Sequence, residues 1–220
     1  MTRKLIPLLL MLLAGLIYAP RANAGACSTG TLNFYLVVGF SCTIGDRTFS
    51  TFYYVPSATG GATLILASDV LVTPQVVGGE EGFLFSASWG VTSLQTQAAS
   101  MGYTVTVPSM DQIADASLSI SGAGFTNDGK VFISEGLSNS VSLFVFTNSN
   151  GTVLASSATF AGVSSLDIVE RVDLDGGING TAALSNVTNL FSPTPEPSSL
   201  LMLGTGVVGL AGFVRRKLPR

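Results

Sequence analysis

The chain of 220 residues contains no histidine. That absence excludes Ser-His-Asp and Cys-His nucleophilic arrangements within the chain. Cysteine is nearly absent too: Cys27 and Cys42 stand alone, and two thiolates without histidine do not complete a zinc site. Positive charge is scarce where it matters. Between Gly25 and Ser192 the only bases are Arg47, Lys130 and Arg171, against twelve of the chain's 13 acids, a net charge of −9. Phosphate binding needs clustered Lys and Arg, so this balance argues against a nucleic-acid partner. With so little Lys, the surface must be coated with Ser, Thr, Asn and Gly, which suits an exported, acidic domain.

What is present is concentrated at the two ends. Arg3 and Lys4 precede an apolar run from Leu5 to Tyr18, and Ala22-Asn23-Ala24 offers a small-x-small cleavage site before Gly25. This is the layout of a secretory signal peptide over residues 1–24; a retained anchor fits less well, because the run is short and a cleavage site follows it. A lipid attached at Cys27 fits less well again, since Cys27 lies beyond the apolar run. At the other end, Pro195-Glu196-Pro197 leads into an uncharged stretch, Leu200 to Val214, and then into Arg215-Arg216-Lys217. The stretch includes Gly204-Thr205-Gly206-Val207-Val208-Gly209, which matches G-x-G-x-x-G. A dinucleotide loop needs a preceding strand and an acid about 20 residues later; here prolines precede and no acid follows. A short transmembrane helix over 199–214 fits better. Its apolar part would rise ~22 Å, short for a bilayer core, and the basic cluster would stay on the cytoplasmic side.

Together, Pro195-Glu196-Pro197, the short helix and Arg215-Arg216-Lys217 resemble the PEP-CTERM sorting signal of Gram-negative bacteria. The resemblance covers residues 193–220. It implies export by the secretion machinery, a precursor held in the membrane by the C-terminal helix, and processing near the Pro-Glu-Pro triplet by an exosortase. Interior segments are similar to those of a group of exported PEP-CTERM proteins: Cys27 to Gly61, "FLFSASWGV", "DASLSISGAGF" and the stretch from Ser157 to Ser192. That second resemblance implies a fold and a route, and no activity.

The span 25–192 is one domain by length. Period-two runs mark strands. Phe83, Phe85, Ala87 and Trp89 alternate with Leu84, Ser86 and Ser88; Tyr103, Val105 and Val107 with Thr104 and Thr106; Leu118 and Ile120 with serines. Thr63–Leu66 and Val70–Val72 read as short strands. Val141 to Thr147 reads as a strand buried on both faces. Asn127-Asp128-Gly129 and Asn150-Gly151 supply hairpin turns, because Asn and Gly tolerate positive φ. Thr92 to Met101 is the one stretch where a helix competes. The prediction is an all-β fold: a single antiparallel β-sandwich flanked by the signal peptide and the C-terminal helix. An even cysteine count in an exported chain predicts a Cys27–Cys42 disulfide, with two buried free thiols as the other reading.

Catalytic candidates are few. Lys130 follows a turn and reads as a solvated charge. Glu80-Glu81 read as loop charges, and Asp111 and Asp115 could share a helical turn without further support. Asp167, Glu170, Asp173 and Asp175 read as outward acids on a strand entering the Gly176-Gly177 turn. Asp173 and Asp175 begin like a calcium loop, but the EF-hand pattern then wants ligands where Gly177 and Leu184 stand, so they remain a weak calcium candidate and no metal or cofactor is expected. The three Asn-x-Ser/Thr sequons read as chance in so polar a surface. The expected function is a non-enzymatic exported protein, delivered to the cell surface or extracellular polysaccharide matrix. A carbohydrate-binding β-sandwich module is the alternative, with exopolysaccharide as the further partner and Tyr35, Phe52, Tyr53, Tyr54 and Trp89 as candidate contacts. Trp89 shares register with Phe83 and Phe85, so it is expected inside. A hydrolase fits least.

Overall fold

Period-two alternation of apolar and polar residues runs through the longer of the fifteen strands among the described residues. The computed structural model describes residues 24–108 and 111–193. The strands are β1 (Gly25–Ala26), β2 (Gly30–Thr31), β3 (Ser41–Ile44), β4 (Arg47–Thr59), β5 (Leu71–Val77), β6 (Glu80–Val91), β7 (Thr96–Thr106), β8 (Ile113–Ser121), β9 (Gly124–Thr126), β10 (Lys130–Leu137), β11 (Ser142–Asn148), β12 (Gly151–Val153), β13 (Ala155–Val163), β14 (Ser165–Asp175) and β15 (Thr181–Pro193). A single helical turn, α1 (Leu32–Tyr35), and a 3-10 turn at Ala67–Asp69 interrupt them. One sheet runs β1-β3-β4-β7-β14-β10-β11-β12; the other runs β13-β8-β15-β6-β5-β2, with β9 also on β15. The pairing is antiparallel except for β1, which lies parallel to β3.

The two sheets face each other across an apolar core. Phe83 of β6 meets Phe49 of β4 with ring centroids 4.7 Å apart and Tyr103 of β7 at 5.7 Å, both edge to face, the geometry that aromatic quadrupoles favour. Cys27 and Cys42 form a disulfide across 15 residues. It ties the N-terminal strand to β3, where the Cys27 N–H also donates to the Thr43 carbonyl at 2.9 Å. Closing a loop of that length contributes ~3 kcal/mol in the chain-entropy account.

Several expectations change. Thr92–Met101 is no helix: from Thr96 onward it is β7, paired on both sides by β4 and β14. Gln97, Ala99 and Met101 point inward with Tyr103 and Val105, so period two wins over the modest helix propensity of Gln and Ala. Thr63–Leu66 is no strand either. Its backbone is satisfied by side chains instead: the Thr63 carbonyl accepts from Gln97 Nε2 at 2.5 Å, the Ile65 carbonyl from Tyr54 Oη at 3.0 Å, and the Leu66 N–H donates to Asp69 Oδ2 at 3.0 Å. β5 runs on through Pro74, tolerable because β2 covers only Leu71 and Val72 and leaves the rest an edge. Asn150-Gly151 does close a hairpin, β11 to β12. Asn127-Asp128-Gly129 turns tightly, with Asn127 at φ 50°, but β9 before it pairs with β15 and β10 after it with β11 and β14. It is a corner between sheets. β11 is not buried on both faces: Phe144 is exposed. Asp111 and Asp115 do not share a helical turn, because β8 begins between them at Ile113.

A bulge in β4 decides which aromatics face the core. Ser50 pairs with Thr104 and Tyr53 with Gly102, so Thr51 and Phe52 together oppose one residue of β7. Thr51 sits at φ 60°. Before the bulge Phe49 points inward; after it Phe52 and Tyr54 do, and Tyr53 is turned out over Gly102, where a Cβ would strike its ring.

Candidate functional site

The structure separates the charged residues of β10 and β14 onto two faces. Glu135 and Glu170 are direct partners across these strands, and both are completely buried. Facing them from the opposite sheet is Asn189 of β15, whose amide donates to Glu135 Oε2 and to Glu170 Oε2, 2.6 Å each. Tyr103 completes the group from β7. Burial pushes the Glu135 carboxyl well above the ordinary range, and the neighbouring Glu170 adds to it. Burial pushes Glu170 up to about 7, with the Asn189 amide opposing. Burial, then the two carboxyls, raise Tyr103. Two like charges side by side in a low dielectric disfavour double ionisation, so the pair keeps at least one proton at neutral pH. Paired carboxyls with raised values would suit acid–base chemistry, but here the cluster is sealed between the sheets and has no open face for a substrate.

The expectation that the acids of β14 all face outward is therefore corrected at Glu170. The signal was present. Leu166, Ile168, Glu170, Val172 and Leu174 share one parity, and Glu135 shares parity with Val131, Ile133 and Leu137. Glu80 and Glu81 are also corrected: they begin β6 rather than a loop. Glu81 holds the buried Arg47 guanidinium, and Glu80 accepts from Ser117 Oγ at 3.1 Å and Ser192 Oγ at 3.2 Å.

The opposite face of the same sheet carries an open groove. In one row across it, Ser57 pairs with Ala98, Ala98 with Asp173, Asp173 with Phe132, and Phe132 with Phe146. The adjacent row runs Val55, Ser100, Arg171, Ser134, Phe144. Small residues on β4 and β7 thus make a low floor beside charged residues on β14 and aromatic ones on β10 and β11. Phe132 and Phe144 are 38% and 48% exposed, with ring centroids 5.9 Å apart and planes tilted 31°. Arg171 Nε donates to Asp173 Oδ2 at 2.7 Å, and Lys130 Nζ lies 3.0 Å from Asp175 Oδ2. A cavity of ≈ 540 Å³ follows the first row, and smaller ones of ≈ 180 and ≈ 390 Å³ continue it along the second, each touching Arg171.

The other expected positions are placed as follows. Asp173 and Asp175 share this outer face, each engaged by a base rather than by the other; among the described residues no three His, Cys, Asp or Glu side chains gather as a metal centre. The five aromatics expected at a carbohydrate site do not line one exposed face. Tyr35 and Trp89 are core residues, as expected for Trp89; Phe52 and Tyr54 pack half-buried against the core, and Tyr53 is partly exposed. Gly25, the expected first residue after cleavage, begins β1, and Ala24 precedes it half-buried. Ala22, Pro195, Glu196, Pro197, Arg215, Arg216 and Lys217, with the expected signal peptide and the helix over 199–214, lie outside the described residues.

For the C-terminal segment the decisive observation is a family model: the PEP-CTERM protein-sorting motif matches residues 193–217. The chain carries a PEP-CTERM sorting motif. The motif implies an exported, membrane-anchored precursor with an exosortase as its processing partner. No curated protein matches the chain. Among solved structures, "TmCBM61 in complex with beta-1,4-galactotriose" is similar over 62% of this chain and 86% of its own, at 8% identity and TM-score 0.30. A family 11 carbohydrate-binding module from Clostridium thermocellum, in complex with a beta-1,3-1,4-mixed-linked tetrasaccharide, is similar over 74% and 96%, at 11% identity and TM-score 0.24. Both scores lie below the level at which two chains share a fold.

Proposed function

We propose that this PEP-CTERM protein is a non-enzymatic exported β-sandwich, cut by an exosortase near Pro195-Glu196-Pro197 and delivered to the cell surface or the surrounding polysaccharide matrix. The observation that carries this reading is the sorting motif at residues 193–217. The lack of histidine supports a binding or structural role over catalysis, as does the sealing of the Glu135–Glu170 carboxyl pair inside the core. The disulfide suits an oxidising destination. The triplet's prolines disfavour helical geometry in the residues before them, which would keep the segment extended beside the membrane and open to an embedded protease.

Replacing Pro195-Glu196-Pro197 with alanines tests the route. Export should persist, while the chain stays at precursor length in the membrane fraction, read by immunoblot of fractionated cells. Wild-type shortening and release of that variant would show that the segment is a plain anchor. Replacing Arg215, Arg216 and Lys217 should instead disturb orientation before the cut.

A further inference from the structure

We propose that the groove on the outer face of the first sheet binds a run of uncharged sugar rings in a polysaccharide, with Phe132 and Phe144 as stacking faces and Arg171 with Asp173 as the polar clamp. This deepens the reading above, since it rests on the domain reaching a polysaccharide environment.

Three observations lead to it. The first is the distribution of bases. Of the three in the domain, Arg47 is buried against Glu81. The other two, Lys130 and Arg171, both line this groove. In a domain of net charge −9, that placement is selective. The second is their pairing. Each exposed base is matched by an aspartate, so the groove is close to neutral while offering fixed donors and acceptors side by side. Sugar hydroxyls donate and accept together, and a planar Arg–Asp pair presents both functions at a fixed spacing. The third is shape. Two phenylalanines stand partly exposed beside a floor of Ser57, Ala98 and Ser100. Ring faces of this kind accept the apolar C–H side of a sugar. The groove crosses five strands, about 19 Å at ordinary strand spacing.

The same features select against other occupants. A neutral groove in an acidic domain offers no counter-charge for phosphates or for a polyuronate. A large apolar protein partner would need a wider apolar face than a pair of rings flanked by two ion pairs.

The test is affinity gel electrophoresis of the full chain, taken from whichever cell fraction holds it. Failure of sorting then appears as a change of location, and failure of the groove as loss of retardation. The gels carry laminarin, galactomannan, dextran, the uncharged polysaccharide fraction extracted from the producing cells, or alginate as the acidic comparison. At least one uncharged polymer should retard the wild type. Phe144→Ala, Phe132→Ala and Arg171→Ala should each weaken that retardation about 10-fold, each variant still unfolding in one cooperative transition. Val76→Ser, on the exposed end of β5, should leave it unchanged. Absence of retardation by every uncharged polymer, retardation by alginate alone, or retardation of all three groove variants equal to that of the wild type would overturn the proposal.

Discussion

The two faces of β10 and β14 hold acids of opposite fate, three and five residues apart along β14. Inward, Glu135 and Glu170 have no base within reach and share the amide of Asn189. Outward, Asp173 and Asp175 are matched by Arg171 and Lys130. The inner pair is driven toward its protonated form, largely by burial. Asp175 is held below the ordinary carboxylate range, first by the Gly177 N–H and then by Lys130. The chemistry of the side chains is nearly the same, so the difference lies in what packs against each face. Water and a base favour the ionised form of Asp175, whereas the opposite sheet denies both to the inner acids.

The sharpest way to break this comparison is to remove the shared donor. Asn189→Ala leaves two buried carboxyls without their amide, and at pH 8 should cost roughly 3 kcal/mol or more. That lowers the unfolding midpoint by about 6–12 °C for a domain of this size. A change below a degree would mean that the amide is dispensable.

Acid should come next in size, with a sign opposite to ordinary acid denaturation. A carboxyl whose folded value is raised binds extra protons in the fold. Its stabilisation is present below the ordinary value of 4.5 and is lost as pH rises through about 7 for Glu170. That loss is about 3 kcal/mol, and Glu135 moves the same way. The titratable groups facing each other are these two and Tyr103. The surface aspartates oppose the trend only at lower pH: Asp128 and Asp175 are lowered, so their contribution fades as pH falls, and exposure screens it. The midpoint measured by circular dichroism should therefore rise from pH 8 to pH 5, and Glu170→Gln should flatten the slope. A midpoint that falls over that interval contradicts the buried pair.

A smaller effect concerns how faces are assigned. Thr51 at φ 60° carries the bulge of β4. Thr51→Gly should stabilise by up to about 1 kcal/mol by relieving the left-handed strain, and deleting Thr51 should leave Phe52 and Tyr54 facing inward, because Phe52 alone then opposes Tyr103. A Thr51→Gly variant that unfolds below the wild-type midpoint would contradict the strain at this position. Smallest of all, Arg171→Ala on the outer face should change stability by less than about 0.5 kcal/mol, because its ion pair is solvated. Equal losses from Arg171→Ala and Asn189→Ala would erase the contrast between the faces.

Much of this was legible in residue order. Period-two alternation located β6, β8 and the later half of β7, and the isolated cysteines gave the disulfide. Parity alone would have placed Glu170 with Leu166, Ile168, Val172 and Leu174; grouping it with neighbouring acids by charge hid this. Thr63–Leu66 was misread because an apolar run resembles a strand whether its backbone bonds go to a ladder or to side chains. Phe132 and Phe144 were not singled out, because an aromatic on a strand usually reads as core, and a second exposed one beside it is a property of register.

The sequence by itself determined an all-β domain bearing a PEP-CTERM motif, a short supply of bases and no histidine. Those are properties of composition and local order. Only the tertiary structure decided which face of each strand met the other sheet, where the Thr51 bulge exchanged faces within β4, and that Asn127–Gly129 turned a corner between sheets. The reason is physical: alternation divides a strand into two faces, but burial is set by what packs opposite. Two glutamates therefore end in the core, while the domain's two exposed bases meet in one groove.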